Sequence, residues 1–523
     1  MRLGRIVETS AALAATAARG KKVALLAATL RELAPDERAI GARYLAGEQP
    51  HKTGIGYALA REVAAAVPAA GPATLELAEV DARLAAVVPL AGPGSAGARR
   101  DAFGALLARA TAAEQQWLCE LIVGGLRQGA EASMVVDAVA KATGVPVADV
   151  RRAHMLAGDV GAVAAVALAD GAPGVARFGL TLFRPILPML AQTADDAPAA
   201  LATFGGEAAA LELKLDGFRV QLHKDGDVVR AFSRGLNDVS ATVPEAIAAV
   251  RALPARRLVL DGEAIALFAD GRPRPFQDTM ARFGRRGDAP TGDPAANPLS
   301  LALFDALLVD DDTLLARPAS ERFAILGALA PTLAVPRLVT ADADAAAAFY
   351  ADAVGRGHEG VMAKALDAPY EAGSRGAAWL KIKRVHRLDL VVLAAEWGSG
   401  RRRGWLSNLW MGARDGDGFV MLGKTFKGMT DAVLAWQTAA LLAREIDRDG
   451  HVVHVRPELV AEFAFNDVQR SSRYPGGVAL RLARLVRYRD DKTAAAADTL
   501  ATVRSLAPGT ESKLSSLGTT DPE

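Results

Sequence analysis

The hydrophobic pattern of the chain changes its period near residue 195, and this change limits the architectures that the chain can adopt. Before that point, Ala- and Leu-rich segments such as AEQQWLCELIVGGLRQG repeat apolar residues at helical spacing. From residue 211 the segment LELKLDGFRVQLHKDGDVVRAFSR alternates apolar and polar residues, which is typical of strands, with a hairpin turn at Asp225 and Gly226. The stretch LFRPILPMLAQTADDAPAA, with its prolines, lies between the two patterns and indicates a linker.

A multi-domain protein is therefore expected, in which an all-α domain precedes domains that contain strands. The 523 residues suffice for about three domains. We predict an all-α domain over residues 1–195 and an α+β domain over residues 196–388. Shorter strand-like runs such as VVHVRPELVAEFAF predict a small β-barrel over residues 389–507. The polar residues 508–523 have the composition of a disordered tail.

Composition excludes several classes of protein. Hydrophobic residues make up 51% and charged residues 23%, which excludes a disordered or fibrous chain, and no apolar run approaches the ~18 residues of a membrane span. The single Cys119 excludes an internal disulfide and a multi-cysteine zinc site, and it favours the cytoplasm. Lys and Arg number 61 against 60 Asp and Glu, so any surface that binds nucleic acid must be local.

The most specific local pattern lies where the alternating region begins. It has the form K-x-D-G-x-R and consists of Lys214, Asp216, Gly217 and Arg219. In a strand, alternate side chains share a face. One face would carry Glu212, Lys214 and Asp216, and the core would receive Leu211, Leu213 and Leu215. An exposed strand with salt bridges would show the same alternation, so this segment alone leaves open both a pocket wall and a solvated surface.

Later segments carry charged and aromatic residues in a fixed order. In FSRG, LDGEAIAL, LALFDAL, HEGVMAK, WLKIKR and ALRLARLVRYRDDK these residues are Arg234, Asp261, Glu263, Phe304, Glu359, Lys381, Lys383, Arg487, Arg489 and Lys492. Together with the lysine pattern, these segments resemble the motifs of the covalent nucleotidyltransferase superfamily. More narrowly, the chain resembles an ATP-dependent DNA ligase of the three-domain cellular type from its N-terminal helices to Lys492. It departs from that family at Ala483-Arg484-Leu485, where the family often has a proline before an Arg-Phe pair.

The resemblance implies both a fold and a chemistry. The three regions would be an all-α DNA-binding domain, an α+β nucleotidyltransferase (adenylation) domain and an OB-fold barrel. Lys214 would attack the α-phosphorus of ATP to give lysyl-AMP. A protonated lysine cannot attack, and neighbouring cations such as Lys381 and Lys383 favour the neutral amine. The other nucleotide contacts would be Glu212 to the adenine, Phe304 stacked on it, Arg219 and Glu263 at the ribose, and Arg234, Arg375 and Lys381 at the phosphates.

The same resemblance implies a metal and a polymeric substrate. Mg²⁺ would bind Glu263 and Glu359, since it prefers one or two carboxylates together with substrate oxygens. Lys383, Arg487, Arg489 and Lys492 would contact phosphate and the departing pyrophosphate. The substrate would be nicked double-stranded DNA, sealed by a monomer that acts in the cytoplasm at the nucleoid and does not bind membranes. The abundance of Ala and Arg suggests a bacterial genome rich in GC.

Other functions share parts of this pattern. An RNA ligase or a capping-type guanylyltransferase has the lysine motif, but the helical region over residues 1–195 argues against both. An NAD-dependent DNA ligase would be expected to carry a four-cysteine zinc module, which one cysteine cannot build. A catalytically silent DNA-binding relative is disfavoured because Lys214, Glu263, Lys381 and Lys383 are all present.

Overall fold

The computed structural model describes residues 1–283, 298–371 and 376–507, in which a helical N-terminal region precedes two regions rich in strands. Arg375 and the predicted tail over residues 508–523 lie outside the described residues. Among the helices that the structure describes, none is both long and apolar enough to cross a lipid bilayer.

Helices of the N-terminal region pack around a shared apolar core. Local signals fix several helix ends: Thr111 and Glu114 form a capping box, and the Asp159 side chain accepts hydrogen bonds from two backbone N–H groups of the next turn. Gly171 and Pro173 interrupt the last helix with a kink. The helices are α1 (Leu3–Ala14), α2 (Arg19–Glu32), α3 (Arg38–Leu45), α4 (Tyr57–Ala66), α5 (Leu77–Val87), α6 (Ser95–Leu107), α7 (Ala112–Ile122), α8 (Ala132–Thr143), α9 (Val147–Ala157) and α10 (Val160–Ala176).

The middle region contains two sheets. One has the strand order β1-β10-β9-β2-β8 and the other β4-β3-β5-β6-β7. The strands are β1 (Gln192–Thr193), β2 (Ala209–Lys214), β3 (Phe218–Asp225), β4 (Val228–Ser233), β5 (Arg257–Ala266), β6 (Leu299–Val309), β7 (Asp312–Thr313), β8 (Arg337–Thr340), β9 (Gly360–Ala365) and β10 (Trp379–Lys383). The helices are α11 (Ala197–Thr203), α12 (Pro244–Arg251), α13 (Phe276–Met280), α14 (Ala319–Leu329) and α15 (Ala343–Gly355).

The lysine pattern spans the crossing between these sheets, and this corrects the simple alternation. Strand β2 ends at Lys214 in one sheet, and β3 begins at Phe218 in the other. Leu215 and Asp216 follow the end of β2 and so do not continue its faces as predicted. The crossing is tight at Gly217, where a Cβ atom would come 2.5 Å from the carbonyl oxygen of Ala264. Only glycine permits so close an approach of two backbones.

The C-terminal region, called the barrel below, contains a seven-stranded sheet and a two-stranded hairpin and has its own apolar core. Its main path runs β13-β12-β11-β15-β14, β16 pairs with both β11 and β19, and β17 pairs with β18 in a hairpin. The strands are β11 (His386–Trp397), β12 (Leu406–Asp415), β13 (Gly418–Thr425), β14 (Glu445–Asp449), β15 (Val452–Val455), β16 (Val460–Phe465), β17 (Asp467–Arg470), β18 (Val478–Arg481) and β19 (Arg484–Tyr488). The helices are α16 (Asp431–Leu442) and α17 (Leu500–Ser505).

The hairpin β17–β18 docks the barrel on the middle region. Arg470 forms a 2.9 Å ion pair with Asp278, and Arg481 forms an ion pair with Asp216 of the lysine pattern. The Arg481 guanidinium also lies over the ring of Phe276, 4.2 Å from its centroid. The barrel therefore contacts the middle region close to the crossing that carries Lys214.

Candidate active site

A cavity of about 250 Å³ lies between the two sheets of the middle region. Its walls include most of the residues that the sequence singles out, although β2, β3, β5, β6 and β10 are far apart along the chain. Residues 189–191, which precede β1, form a further wall. The predicted residues that line the cavity are Glu212, Lys214, Arg219, Arg234, Glu263, Phe304, Lys381 and Lys383.

Lys214 is the last residue of strand β2, and its amine contacts a carboxylate. Its Nζ lies 2.6 Å from Oε2 of Glu359, whose other oxygen accepts a hydrogen bond from Lys383. Burial disfavours the charged form of Glu359, but the two lysines outweigh burial and hold the pKa of this carboxyl below its usual range. Glu359 is thus an anion placed between two amines at one end of the cavity.

The strand β10 presents its lysines on one face. Lys381 and Lys383 are half-buried, whereas Leu380 and Ile382 are buried in the core behind the strand. The Nζ of Lys381 donates a hydrogen bond of 3.2 Å to the carbonyl oxygen of Ala191. The alternation of WLKIK thus places two amines along the cavity wall.

Arg219 is held in place by a buried network. Its guanidinium binds both oxygens of Asp261, at 3.0 and 2.6 Å, and donates to the carbonyl oxygen of Met189 at 2.7 Å. The hydroxyl of Tyr370 donates to Asp261 at 2.6 Å. The guanidinium lies 5.3 Å from the centroid of the Phe304 ring. Such a fixed cation beside an aromatic ring suits a flat ligand with a polar edge.

Glu263 faces the same cavity from β5. Burial raises the pKa of this carboxyl to about 7, although Lys214 and Arg219 act in the opposite direction. A bound cation would restore the ordinary acidity of Glu263, so the group fits a metal ligand. Among the described residues, however, no group of three or more His, Cys, Asp and Glu side chains is arranged to hold a metal ion. A metal here would need oxygens from a substrate, which is how Mg²⁺ is commonly held.

Glu212 lies deeper in the cavity than the sequence suggests. It is only 2% exposed, and its carboxylate forms a 2.5 Å ion pair with Lys364 and a second ion pair with Arg337. Burial lowers the pKa of Lys364, and Glu212 opposes this shift. The amine of Lys364 also lies 4.8 Å from the ring centroid of Phe304 and 4.3 Å from that of Trp379.

Several residues of this site were missed in the sequence. Lys364 and Trp379 stand inside segments already recognised, and their alternation with Ala363 and Leu380 could have placed them on the cavity face. Tyr370 in a loop and Arg337 on the distant strand β8 carry no periodic signal. Only the folded arrangement brings Tyr370 to Arg219 and Arg337 to Glu212, two residues that line the cavity.

The basic residues near the end of the barrel lie outside the cavity. Arg487 pairs with Glu462 at 2.8 Å, and Arg489 and Lys492 pair with Asp389 at 2.8 and 2.5 Å. All three bind carboxylates of the barrel itself. In this arrangement they are not brought together with Lys214.

Comparison with known proteins matches the chain to DNA ligases along nearly its whole length. Models for the ATP-dependent DNA ligase domain, its C-terminal region and the DNA ligase N terminus match residues 188–383, 402–492 and 56–140. A probable DNA ligase of Anaeromyxobacter dehalogenans strain 2CP-C is 58% identical over 516 residues, which is 97% of this chain and 100% of the relative. A probable DNA ligase of Beutenbergia cavernae is 54% identical, again over 97% of this chain and 100% of the relative.

A solved structure supports the fold independently. The structure described as Pmar-Lig_PreS3 superimposes with a TM-score of 0.60 at 18% identity, over 92% of this chain and 99% of that one. The helical region, the nucleotidyltransferase region and the β-rich C-terminal region predicted from the sequence are confirmed. Together with the lysine-bearing cavity, these matches show that the chain belongs to the family of ATP-dependent DNA ligases.

Proposed function

We propose that Lys214 carries out the ATP-dependent step of nick sealing by forming a covalent lysyl-AMP. The observation that carries this proposal is the position of the lysine at the end of β2, inside a cavity that Lys381 and Lys383 also line, with its amine 2.6 Å from Glu359. The neutral Lys214 amine would attack the α-phosphorus, the bond from that phosphorus to the bridging oxygen would break, and pyrophosphate would leave. The nitrogen would release one proton to solvent as the phosphorus–nitrogen bond forms. Such a transfer depends mainly on positioning and on neutralising charge, which the nearby amines supply.

The deeper end of the cavity suits the nucleoside. Phe304 would stack on the base, with Arg219 at the ribose and Glu212 accepting a hydrogen bond from the adenine amino group. The ion pairs of Glu212 with Lys364 and Arg337 orient its carboxylate for that contact. Guanine presents a carbonyl oxygen at this position, so a GTP complex would leave a buried acceptor unpaired, which costs about 1–3 kcal/mol.

Glu263 and Glu359 would hold Mg²⁺ together with phosphate oxygens. When bound, Mg²⁺ would neutralise charge on the phosphates. Glu359, which contacts the Lys214 amine in this structure, would be one of the two carboxylates that hold the ion. Arg234, which is exposed at the cavity rim, and Arg375 would contact the phosphates.

The remaining steps would use the same site on nicked DNA. AMP passes from Lys214 to the 5′-phosphate, and the 3′-hydroxyl then displaces AMP and closes the strand. The helical region would grip the duplex through its phosphates, without reading the sequence. Arg487, Arg489 and Lys492 would orient pyrophosphate only after the barrel moves. We expect a monomer, acting on chromosomal DNA in the cytoplasm.

A mass measurement tests the nucleophile. After incubation with ATP and Mg²⁺, wild-type protein should gain the mass of one AMP, and Lys214→Ala should gain none. Lys424→Ala is a matched control, because Lys424 is also a half-buried lysine paired with a glutamate, Glu396, but lies in the barrel. AMP on the Lys214→Ala variant, or its loss from the control, would contradict the assignment. Sealing of a nicked duplex by the same proteins tests the whole reaction.

A further inference from the structure

The segment between the helical region and the first sheet is bound along its length. This connector, residues 177–191, runs as turns and extended chain from α10 to β1. Pro185 and Pro188 have no N–H groups and cannot join a regular ladder. Buried backbone groups still need partners. In the connector several of these partners are side chains of the middle region.

One face of strand β3 supplies most of them. Both backbone groups of Ile186 bind the Gln221 amide: its N–H donates to Oε1 at 2.8 Å, and its carbonyl oxygen accepts from Nε2 at 3.1 Å. The N–H of Phe183 donates to Nδ1 of His223 at 3.0 Å. Arg219, on the same face, donates to the carbonyl oxygen of Met189. Alternate residues of β3 thus bind the connector at every third residue.

His223 is in the protonation state that its hydrogen bond to the connector requires. Burial lowers the pKa of its imidazole to about 4, so the ring is neutral near pH 7. With Nδ1 accepting from Phe183, the proton belongs on Nε2, which lies 2.9 Å from Oε1 of Gln221. Each polar atom of the His223 ring and the Gln221 amide oxygen therefore has a partner.

The C-terminal end of the connector reaches the cavity. The N–H of Met189 donates to the hydroxyl of Tyr370 at 3.1 Å, and this hydroxyl also bonds Asp261 and accepts from Arg219 at 3.3 Å. Met189 lines the cavity. One hydroxyl therefore joins the connector to the arginine that lies beside Phe304.

The connector is attached to the helical region as well. The N–H of Leu187 donates to the carbonyl oxygen of Met155 in α9 at 3.1 Å. Met155, Ile186, Met189 and Trp379 belong to one apolar cluster, which runs from α9 through the connector to the cavity wall. A displacement of the connector would disturb both the helical region and the cavity.

We propose that Gln221, His223 and Tyr370 are positioning residues that hold the connector as a wall of the nucleotide cavity, so that filling the cavity and fixing the helical region on the middle region are coupled. The proposal rests on the proposed function, in which the cavity takes ATP. A ribose bound at Arg219 would add a contact to the guanidinium that already holds the carbonyl oxygen of Met189. Met189 follows closely after Leu187, which binds α9. Nucleotide binding would thereby stiffen the link to the region expected to grip DNA.

Two variants of the full chain test this coupling. Tyr370→Phe removes only a hydroxyl and leaves the N–H of Met189 unpaired, and Gln221→Met removes both bonds to Ile186. We expect each to raise the KM for ATP in self-adenylylation by about tenfold and to lower kcat by less than about twofold, because the contacts position the substrate rather than the reacting atoms.

Matched controls separate positioning from general stability. Gln437→Met removes another buried glutamine amide that binds a backbone carbonyl, but in the barrel. Tyr350→Phe removes a hydroxyl from a tyrosine that packs in a different apolar cluster, on α15. Both controls should keep the wild-type KM for ATP. A tenfold rise in either control would overturn the proposal, because it would show that KM follows stability alone.

Hydrogen exchange gives a readout that a merely structural role would not change. In wild-type protein, loading with AMP should slow exchange of the amides in residues 178–191 by about tenfold, and Tyr370→Phe should lose that protection. AMP loading without protection of the connector, or a wild-type KM in both variants, overturns the coupling alone. Absence of AMP on wild-type protein would overturn the proposed function and the coupling with it.

Discussion

Glu263 should release a proton when the cavity binds ATP and Mg²⁺, and the number of protons should depend on pH. Burial places the pKa of this carboxyl at about 7 in the nucleotide-free protein. With that pKa about three quarters of the molecules carry the proton at pH 6.5, and about one tenth at pH 8. If the bound cation returns the pKa to the usual range near 4.3, nearly all of those protons leave on binding.

Calorimetric titration measures this release directly. ATP with its α,β-bridging oxygen replaced by methylene cannot transfer AMP to Lys214, so binding is seen without the reaction. Titrations in two buffers with different ionisation enthalpies give the protons released per site. We expect Glu263→Gln to release about 0.75 fewer protons than wild type at pH 6.5 and about 0.1 fewer at pH 8.

The difference between the two proteins is the informative quantity, because the nucleotide's own ionisation is common to both. A difference that is flat with pH would show that Glu263 does not titrate in this range. If wild type and Glu263→Gln differed by the same number of released protons without Mg²⁺, the nucleotide alone, and not a metal, would restore the acidity of Glu263. The raised pKa of Glu263 also makes the stability of the nucleotide-free protein depend on pH. The contribution of Glu263 to stability is largest below pH 4.5 and is lost as pH rises through about 7.

Other residues give predictions about folding stability, domain limits and the proposed movement of the barrel. Arg322→Met removes the ion-pair partner of Asp305, and both side chains are fully buried. The variant should lower the free energy of unfolding by about 3–5 kcal/mol in urea titrations, and a loss below about 1 kcal/mol would contradict this. A fragment that begins at residue 177 should self-adenylate, whereas one that begins at residue 196 lacks the connector wall and should load AMP poorly by intact mass. Arg487→Ala should slow AMP loading strongly yet still seal a pre-adenylylated nick in single-turnover assays, whereas Lys381→Ala should slow both; equal defects would make the barrel cations a plain DNA-binding surface.

The sequence was most informative where strand alternation and chemistry coincide. The lysines of β10 could be placed on one face because their neighbours Leu380 and Ile382 are buried, whereas Leu213 and Leu215, the neighbours of Lys214, themselves line the cavity. The prediction for Leu215 and Asp216 was wrong because alternation says nothing about where a strand ends, and here the chain leaves one sheet for another at Gly217. Tyr370 could not be found at all, since a loop residue acquires its role only from what the fold packs around it.

The contacts that dock the barrel bear on the role proposed for its last basic residues, Arg487, Arg489 and Lys492, which lie away from the cavity. The ion pair of Arg470 with Asp278 involves an arginine that is 77% exposed, and such pairs contribute at most about 1 kcal/mol each. Arg481 is better shielded, but it is attached through Asp216 at the crossing next to Lys214. A barrel held by a few polar contacts, with a core of its own, can leave this position at small cost. We therefore propose that the barrel moves as a rigid body from this position to one over the phosphates of ATP, where Arg487, Arg489 and Lys492 would act.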